Sequence, residues 1–117
     1  ITIALPEGTE AQIRPRSGLS LKTMLRIPNS PGTIDAGYRD EIKIIMHNAS
    51  PTVSDADAQV FDLNVKNNPK GSYRVRKGDR IAQMILARVE HAQFDLCDSL
   101  EGIGTDRNGG FGSTGVL

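Results

Sequence analysis

Ile42-Lys43-Ile44-Ile45-Met46-His47, residues 42–47, places apolar side chains at the even positions and Lys43, Ile45 and His47 at the odd ones. A period of two is typical of a half-buried β-strand. Shorter apolar or β-branched runs recur at residues 11–13, 73–75 and 81–89, and turn-forming residues lie between the runs. Many short strands joined by turns predict an all-β barrel or sandwich.

The composition limits both the size of the core and the partners. The chain has 117 residues, which is enough for one domain at most. Its 14 basic and 14 acidic residues give no net charge, which argues against nonspecific nucleic-acid binding. Hydrophobic residues make up 38% but aromatic ones only 4%, so we expect a thin aliphatic core, which points to many short strands or to oligomerisation. One cysteine and two histidines give no familiar zinc spacing. No apolar run is long enough to span a bilayer, so we expect a cytoplasmic protein without membrane contact.

Three segments depart from the strand pattern. Residues 19–25 are a candidate helix, and residues 82–89 can be interpreted as a helix or a strand. Residues 54–70 are polar with scattered Val60, Phe61 and Leu63, which predicts a loop or hairpin insertion. Six glycines fall within the last sixteen residues. We therefore expect a β domain over residues 1–106 and a flexible glycine-rich arm over residues 107–117.

Four segments carry chemistry, and each is ambiguous alone. Residues 15–19 combine a guanidinium, a hydroxyl and a glycine, which suits a phosphate or an ordinary turn. In residues 32–41, Asp35 is either a general base or a turn cap, with Tyr38 in the core. Residues 77–83 fit a hairpin entry. Residues 110–115 match G-x-G-x-x-G, but only two residues follow, so the helix of a dinucleotide-binding motif is excluded. Two interpretations remain: an arm that folds over an anionic, aromatic ligand, or a disordered terminus.

Taken in order, these four segments resemble motifs two to five of the trimeric deoxyuridine triphosphate nucleotidohydrolases, the dUTPases. The resemblance covers nearly the whole chain. It implies a jelly-roll-like distorted β barrel, a homotrimer, and active sites built from three subunits, one of which lends its C-terminal arm. The implied activity is Mg²⁺-dependent hydrolysis of dUTP to dUMP and pyrophosphate, which keeps uracil out of DNA and supplies dUMP for dTMP synthesis.

The resemblance also implies roles for single residues. Asp35 deprotonates the water that attacks the α-phosphorus, and Gln83 helps to position that water or the α-phosphate. Tyr38 packs under the deoxyribose and excludes a ribose 2′-hydroxyl. Magnesium is held mainly by substrate phosphates and water rather than by protein side chains. The phosphates are bound by Arg16, Ser17, Gly18, Arg107, Gly112, Ser113 and Thr114, and the uracil by Asn29, Gly32, Lys43 and Phe111. Arg80 supports either the phosphates or the arm.

Two departures from the family pattern and two alternatives remain. The family's first motif, an Ala-Gly-x-Asp-Leu-like strand, has no counterpart here and is expected upstream of Ile1. Asp40 stands where the family commonly has glycine. One alternative is a deaminase of the dCTP deaminase type, which has the same fold. The other is an interaction or regulatory module that binds a protein partner through residues 54–70.

Overall fold

The computed structural model describes residues 1–51 and 59–110. Strands dominate this part of the chain, so the predicted all-β class is confirmed, and no helix in it is long and apolar enough to cross a membrane. In chain order the elements are β1 (Thr9–Arg14), α1 (Ser17–Lys22), β2 (Leu25–Arg26), β3 (Gly32–Asp35), β4 (His47–Asn48), β5 (Val60–Asp62), β6 (Ser72–Arg74) and β7 (Gln83–Arg88).

The predicted helix near residues 19–25 exists, but it starts and ends earlier. Helix α1 stops at Lys22 because Thr23 adopts an extended backbone. The Thr23 hydroxyl donates a hydrogen bond of 2.8 Å to the carbonyl oxygen of Leu19, which satisfies one acceptor of the last turn. Leu25, which we expected in the helix, is buried in β2. The helical interpretation of residues 82–89 is wrong, because residues 83–88 form β7.

The largest sheet contains three antiparallel strands in the order β3-β1-β7. Ala11 and Ile13 of β1 are buried, and Ile34 of β3 lies beside Ala11 on the same face. With Ile27 they form a small aliphatic core. On β7, Leu86 pairs with Ala11 on this same face but is 60% exposed. The apolar face of the sheet therefore continues beyond what the protomer covers.

The segment 42–47 has the alternating side-chain burial of a strand, but most of its backbone is not paired with another strand. Burial alternates as expected, and Ile42 and Ile44 pack against the core. The Ile42 amide donates to the carbonyl oxygen of Ile1 at 2.9 Å, yet in the described chain residues 42–46 form no ladder. His47–Asn48 alone forms β4, paired with β2. The predicted strand over residues 42–46 is therefore wrong, because among the described residues the bond between Ile42 and Ile1 does not continue into a ladder.

The stretch 54–70 is partly described, since residues 54–58 lie outside the described residues. Strand β5 pairs with β6 in parallel, so Val60–Asp62 is not an arm of a local hairpin. The rings of Phe61 and Tyr73 lie 6.1 Å apart. The Tyr73 hydroxyl accepts a hydrogen bond of 3.0 Å from the Met24 amide and donates to the carbonyl oxygen of Pro69. These contacts attach the end of the stretch to the body of the protein.

The protomer is far more extended than a compact domain. Its radius of gyration is 20.8 Å, against about 13 Å for a compact chain of 100 residues. Phe94 and Leu96, beyond β7, are 92% and 104% exposed. Large apolar side chains left in water are typical of surfaces that another molecule covers.

Candidate active site

Two of the predicted phosphate-binding segments meet at one cavity of about 210 Å³, which we name the basic cavity. Arg16 lies at the N-terminal boundary of α1 and is half-buried, while Arg80 follows the turn before β7. Gly18 has open space where a Cβ would lie, so α1 presents backbone rather than a side chain there. The basic cavity is lined by Arg16, Gly18, Leu19, Lys22, Leu63, Asn64, Asp79 and Arg80.

Gln83 joins the same two segments by a direct bond. Its Nε2 donates a hydrogen bond of 2.8 Å to the carbonyl oxygen of Pro15, immediately before Arg16. The first pair of the β1-β7 ladder, Arg14 with Gln83, brings the two side by side. Gln83 therefore holds the Pro15–Arg16 backbone against the start of β7. Its predicted contact with water or an α-phosphate stays a prediction.

Asp35 ends β3 and is exposed. Its Oδ1 accepts a hydrogen bond of 2.8 Å from the Gly37 amide, and its carbonyl oxygen accepts one of 3.2 Å from the Tyr38 amide. The interpretation of this segment as a turn is therefore confirmed: Asp35 caps the turn, and Tyr38 packs against the core. In the described part of the chain, no group donates to Oδ2 of Asp35. A turn cap that uses one oxygen orients the carboxylate and leaves the other for water.

Asp35 and Gln83 are far apart within one protomer. Asp35 pairs with Glu10 near one end of β1, and Gln83 pairs with Arg14 at the other end. Four residues along β1 and two strand spacings across the sheet separate their Cα atoms by about 16 Å. One water molecule cannot contact both side chains of the same copy.

The surroundings of Asp35 differ in charge from the basic cavity. A second cavity, of about 270 Å³, is lined by Asp35 with Glu7, Glu10 and His91 among others, and its described lining includes no lysine or arginine. The three carboxylates in this lining repel a triphosphate. A substrate placed at Asp35 therefore needs cations from elsewhere.

The predicted residues for base and sugar lie near β3. Gly32 begins β3, and a Cβ there would come within 3.1 Å of Nδ2 of Asn29, so glycine leaves room for that amide. The ring of Tyr38 is half-buried, and its hydroxyl donates to the carbonyl oxygen of Glu41 at 2.8 Å. Lys43 is exposed on the extended segment that follows. Asn29, Gly32 and Tyr38 thus flank the strand that carries Asp35.

The remaining predicted residues are Ser17 and those of the C-terminal region. Ser17 is the first residue of α1 and is exposed. Arg107 is exposed, and its Nε donates to the carbonyl oxygen of Gly109 at 3.0 Å. Phe111, Gly112, Ser113 and Thr114, and most of the proposed arm, lie outside the described residues. Within residues 1–51 and 59–110, no three His, Cys, Asp or Glu side chains are placed to hold a metal ion.

Sequence reasoning missed three residues that line the basic cavity: Lys22, Leu63 and Asn64. For Lys22 a signal existed, because it lies four residues after Gly18 and a helix brings i and i+4 to one face. For Leu63 and Asn64 there was none, since their position depends on the pairing of β5 with β6.

Comparison with known proteins identifies the family. The family model described as dUTPase matches residues 1–54 and 49–115. The chain belongs to the dUTPase family. Deoxyuridine 5′-triphosphate nucleotidohydrolase from Ehrlichia canis (strain Jake) is 44% identical over 117 residues, and the same-named protein from Solibacter usitatus (strain Ellin6076) is 43% identical over 118. These alignments cover 99% and 98% of this chain but 64% of each relative, so the chain spans about two thirds of their length.

Solved dUTPase structures share the fold. The dUTPase of Staphylococcus bacteriophage 80alpha with dUpNHpp superposes with a TM-score of 0.77 at 32% identity, over 98% of this chain and 72% of the phage chain. The dUTPase of phage phi11 of S. aureus, in a structure that visualises its species-specific insert, gives 0.69 at 26% identity, over 86% and 69%. The jelly-roll-like β barrel expected for this dUTPase-family chain is thereby confirmed.

Proposed function

We propose that this chain hydrolyses dUTP to dUMP and pyrophosphate. The observation that carries the proposal is the basic cavity, where Arg16 and Gly18 of one predicted motif meet Arg80 of another. Family membership and the shared name of the relatives support the same substrate. Two guanidiniums beside an exposed backbone suit a polyphosphate, because charge-assisted hydrogen bonds to phosphate oxygens are strong and directional.

Asp35 acts as the base in this proposal. Its Oδ2 accepts a proton from a water molecule while Gly37 holds Oδ1. The water oxygen bonds to the α-phosphorus, the bond from that phosphorus to the oxygen bridging the β-phosphate breaks, and pyrophosphate leaves. Asp35 then releases the proton to solvent. Positioned proton transfer of this kind contributes about 10²–10⁴-fold to a rate.

A homotrimer completes the site in this proposal. Asp35 lies about 16 Å from Gln83 in one copy, by strand spacing, and Gln83 holds the backbone beside Arg16. In this proposal different copies therefore supply the base and the phosphate-binding groups. The exposed side chains of Phe94 and Leu96 and the uncovered face beside Leu86 support packing between copies. Residues 107–117 of a third copy close the site, with Arg107 on the γ-phosphate and Phe111 on the base.

Base and sugar selection takes place beside β3. Asn29 and the backbone at Gly32 and Lys43 bind the uracil edge in a segment too tight for the methyl group of thymine. The half-buried ring of Tyr38 lies under the deoxyribose. The hydrogen bond from the Tyr38 hydroxyl to the carbonyl oxygen of Glu41 holds the ring in place. The fixed ring leaves no space for a 2′-hydroxyl on the sugar.

Magnesium fits this site only as a nucleotide-bound ion. The ion takes six oxygen ligands and keeps several waters, while the part of the chain that the structure describes offers no cluster of three protein ligands. A structural Mg(II) ion is coordinated in the dUTPase of phage phi11. When bound, Mg²⁺ neutralises the phosphates and fixes their geometry. Arg16 and Arg80 would bind phosphate oxygens of the nucleotide beside such an ion.

We place the protein in the cytoplasm, where nucleoside triphosphates occur. A protein partner at residues 54–70 remains a prediction: Val60 is 55% exposed, whereas Phe61 and Leu63 are half-buried. The structure thus leaves one of these three apolar side chains available to a partner.

Product analysis tests the proposed reaction. The purified chain is incubated separately with dUTP and dCTP in the presence of Mg²⁺, and pyrophosphate and ammonia are measured. We expect pyrophosphate from dUTP, with dUMP in equal amount. Ammonia from dCTP without pyrophosphate from dUTP would establish the deaminase alternative instead.

A further inference from the structure

We propose that Lys22 and Asn64 bind the terminal phosphates of the nucleotide, so that the turn at Leu63 and Asn64 forms a wall of the substrate site. The inference rests on the proposed function and assigns two residues that no resemblance pointed to. Both line the basic cavity with Arg16 and Arg80. The polar stretch would then act on the substrate directly, whether or not it also binds a partner.

The charge of the basic cavity favours an anion. Its lining includes three cations, Arg16, Lys22 and Arg80, and one carboxylate, Asp79. Among the described residues, no carboxylate lies within 4.0 Å of any of these three cations. The Asp79 carboxylate accepts a hydrogen bond of 2.7 Å from the Arg76 amide, so it is engaged in its own turn. Three unpaired cations on one concave surface attract a polyphosphate.

Lys22 is placed by helix α1. It lies three residues after Leu19 and four after Gly18, and all three line the cavity, as expected for one helical face. The side chain is exposed, and its ammonium can donate three hydrogen bonds. A flexible cation next to the rigid guanidinium of Arg16 can follow phosphate oxygens as the leaving group moves.

Asn64 is placed by a chain of contacts to the turn before Arg80. The Val65 amide donates to the carbonyl oxygen of Asp62 at 3.1 Å, which closes a turn around Asn64. The Asp62 carboxylate lies 2.9 Å from the guanidinium of Arg76, and Arg76 and Asp79 form the turn that precedes Arg80. Asn64 and Arg80 therefore face the same cavity from two joined turns.

The terminal phosphates fit this cavity better than the base does. Among the described residues, no aromatic side chain is in the cavity lining, so none of them stacks on a base there. The predicted uracil residues Asn29, Gly32 and Lys43 lie elsewhere. The amide of Asn64 donates two hydrogen bonds to phosphate oxygens without adding charge, and Leu63 provides an apolar wall that limits water.

Steady-state kinetics and calorimetry on the full chain test the inference. The variants are Lys22→Gln and Asn64→Ala, with Lys66→Gln as a matched control because Lys66 is exposed on the same stretch but outside the cavity lining. For Lys22→Gln we expect KM for dUTP and the inhibition constant of pyrophosphate to rise about tenfold, the effect of one lost charged hydrogen bond. For Asn64→Ala we expect about threefold on both. Inhibition by dUMP, kcat and the control stay within about twofold of wild type.

The outcomes separate this inference from the proposed function. If wild type hydrolyses dUTP but both variants keep its KM and pyrophosphate inhibition, the inference is wrong and the function stands. If wild type does not hydrolyse dUTP, the function fails, and calorimetric titration of pyrophosphate into wild type and Lys22→Gln still decides whether Lys22 binds phosphate. An equal loss of dUMP and pyrophosphate binding would also overturn the inference, because it indicates a general structural effect.

Discussion

Asp35 and Gln83 lie at opposite ends of the central strand β1, one paired with Glu10 and the other with Arg14. The sheet is the rigid spacer between them, so thermal motion of side chains does not close a gap of about 16 Å set by strand geometry. Whatever reaction uses both residues must combine them from different copies of the chain.

Replacing Asp35 by Asn tests the base. The Asn carbonyl oxygen can still accept from Gly37, so the turn and nucleotide binding are preserved. We expect kcat for dUTP to fall at least about a hundredfold, because the proton acceptor is lost. The control is Asp40→Asn, an exposed carboxylate in the same segment that should leave kcat nearly unchanged. Equal turnover in Asp35→Asn and wild type would exclude Asp35 as the base.

Replacing Gln83 by Leu tests the link between the two phosphate segments. The substitution removes the hydrogen bond to Pro15 from an exposed side chain, so the free energy of unfolding should change by no more than about 1 kcal/mol. We expect kcat/KM for dUTP to fall at least about tenfold, because Arg16 loses its fixed position. Gln59→Leu, an exposed glutamine outside the site, is the control. A loss of stability without a loss of kcat/KM would assign Gln83 a structural role only.

Replacing Gly71 by Ala tests the attachment of residues 59–70. Gly71 has a φ of 153°, and a Cβ there would lie 2.7 Å from the carbonyl oxygen of Gln59 and 2.9 Å from Cε2 of Phe61. We expect the free energy of unfolding to fall by about 1–3 kcal/mol. Urea unfolding at fixed protein concentration measures the change. Gly18→Ala, with open space and no positive φ, should not destabilise the fold.

Replacing Phe94 by Asp tests the contact between copies. Phe94 is 92% exposed in the protomer, so its own fold gains almost nothing from this ring. In the proposed trimer the ring is buried by another copy, and a carboxylate there is costly. We expect sedimentation at three times the 12.7 kDa of one chain for wild type, and a smaller species for the variant. Gln93→Asp is the matched control. If Phe94→Asp sediments with the same mass as wild type, Phe94 does not lie in the interface between copies.

Local patterns in the sequence were enough for the fold class and for several elements. The turn residues and short apolar runs predicted strands at 11–13 and 73–75, which fall within or overlap β1 and β6. The segment 42–47 shows the limit of such patterns. Its side chains alternate in burial as predicted, but a strand also needs a partner backbone, and periodicity does not report whether one is present.

The same limit applies to the site. The sequence by itself determined which residue types are available: Asp35 in a turn, the guanidiniums of Arg16 and Arg80, and Gln83 at the start of a strand. Only the tertiary structure decided that Gln83 binds Pro15, that Asp35 lies at the far end of β1, and that Lys22 and Asn64 enter the basic cavity. Residue chemistry is local, whereas strand register and the parallel pairing of β5 with β6 depend on contacts between distant segments.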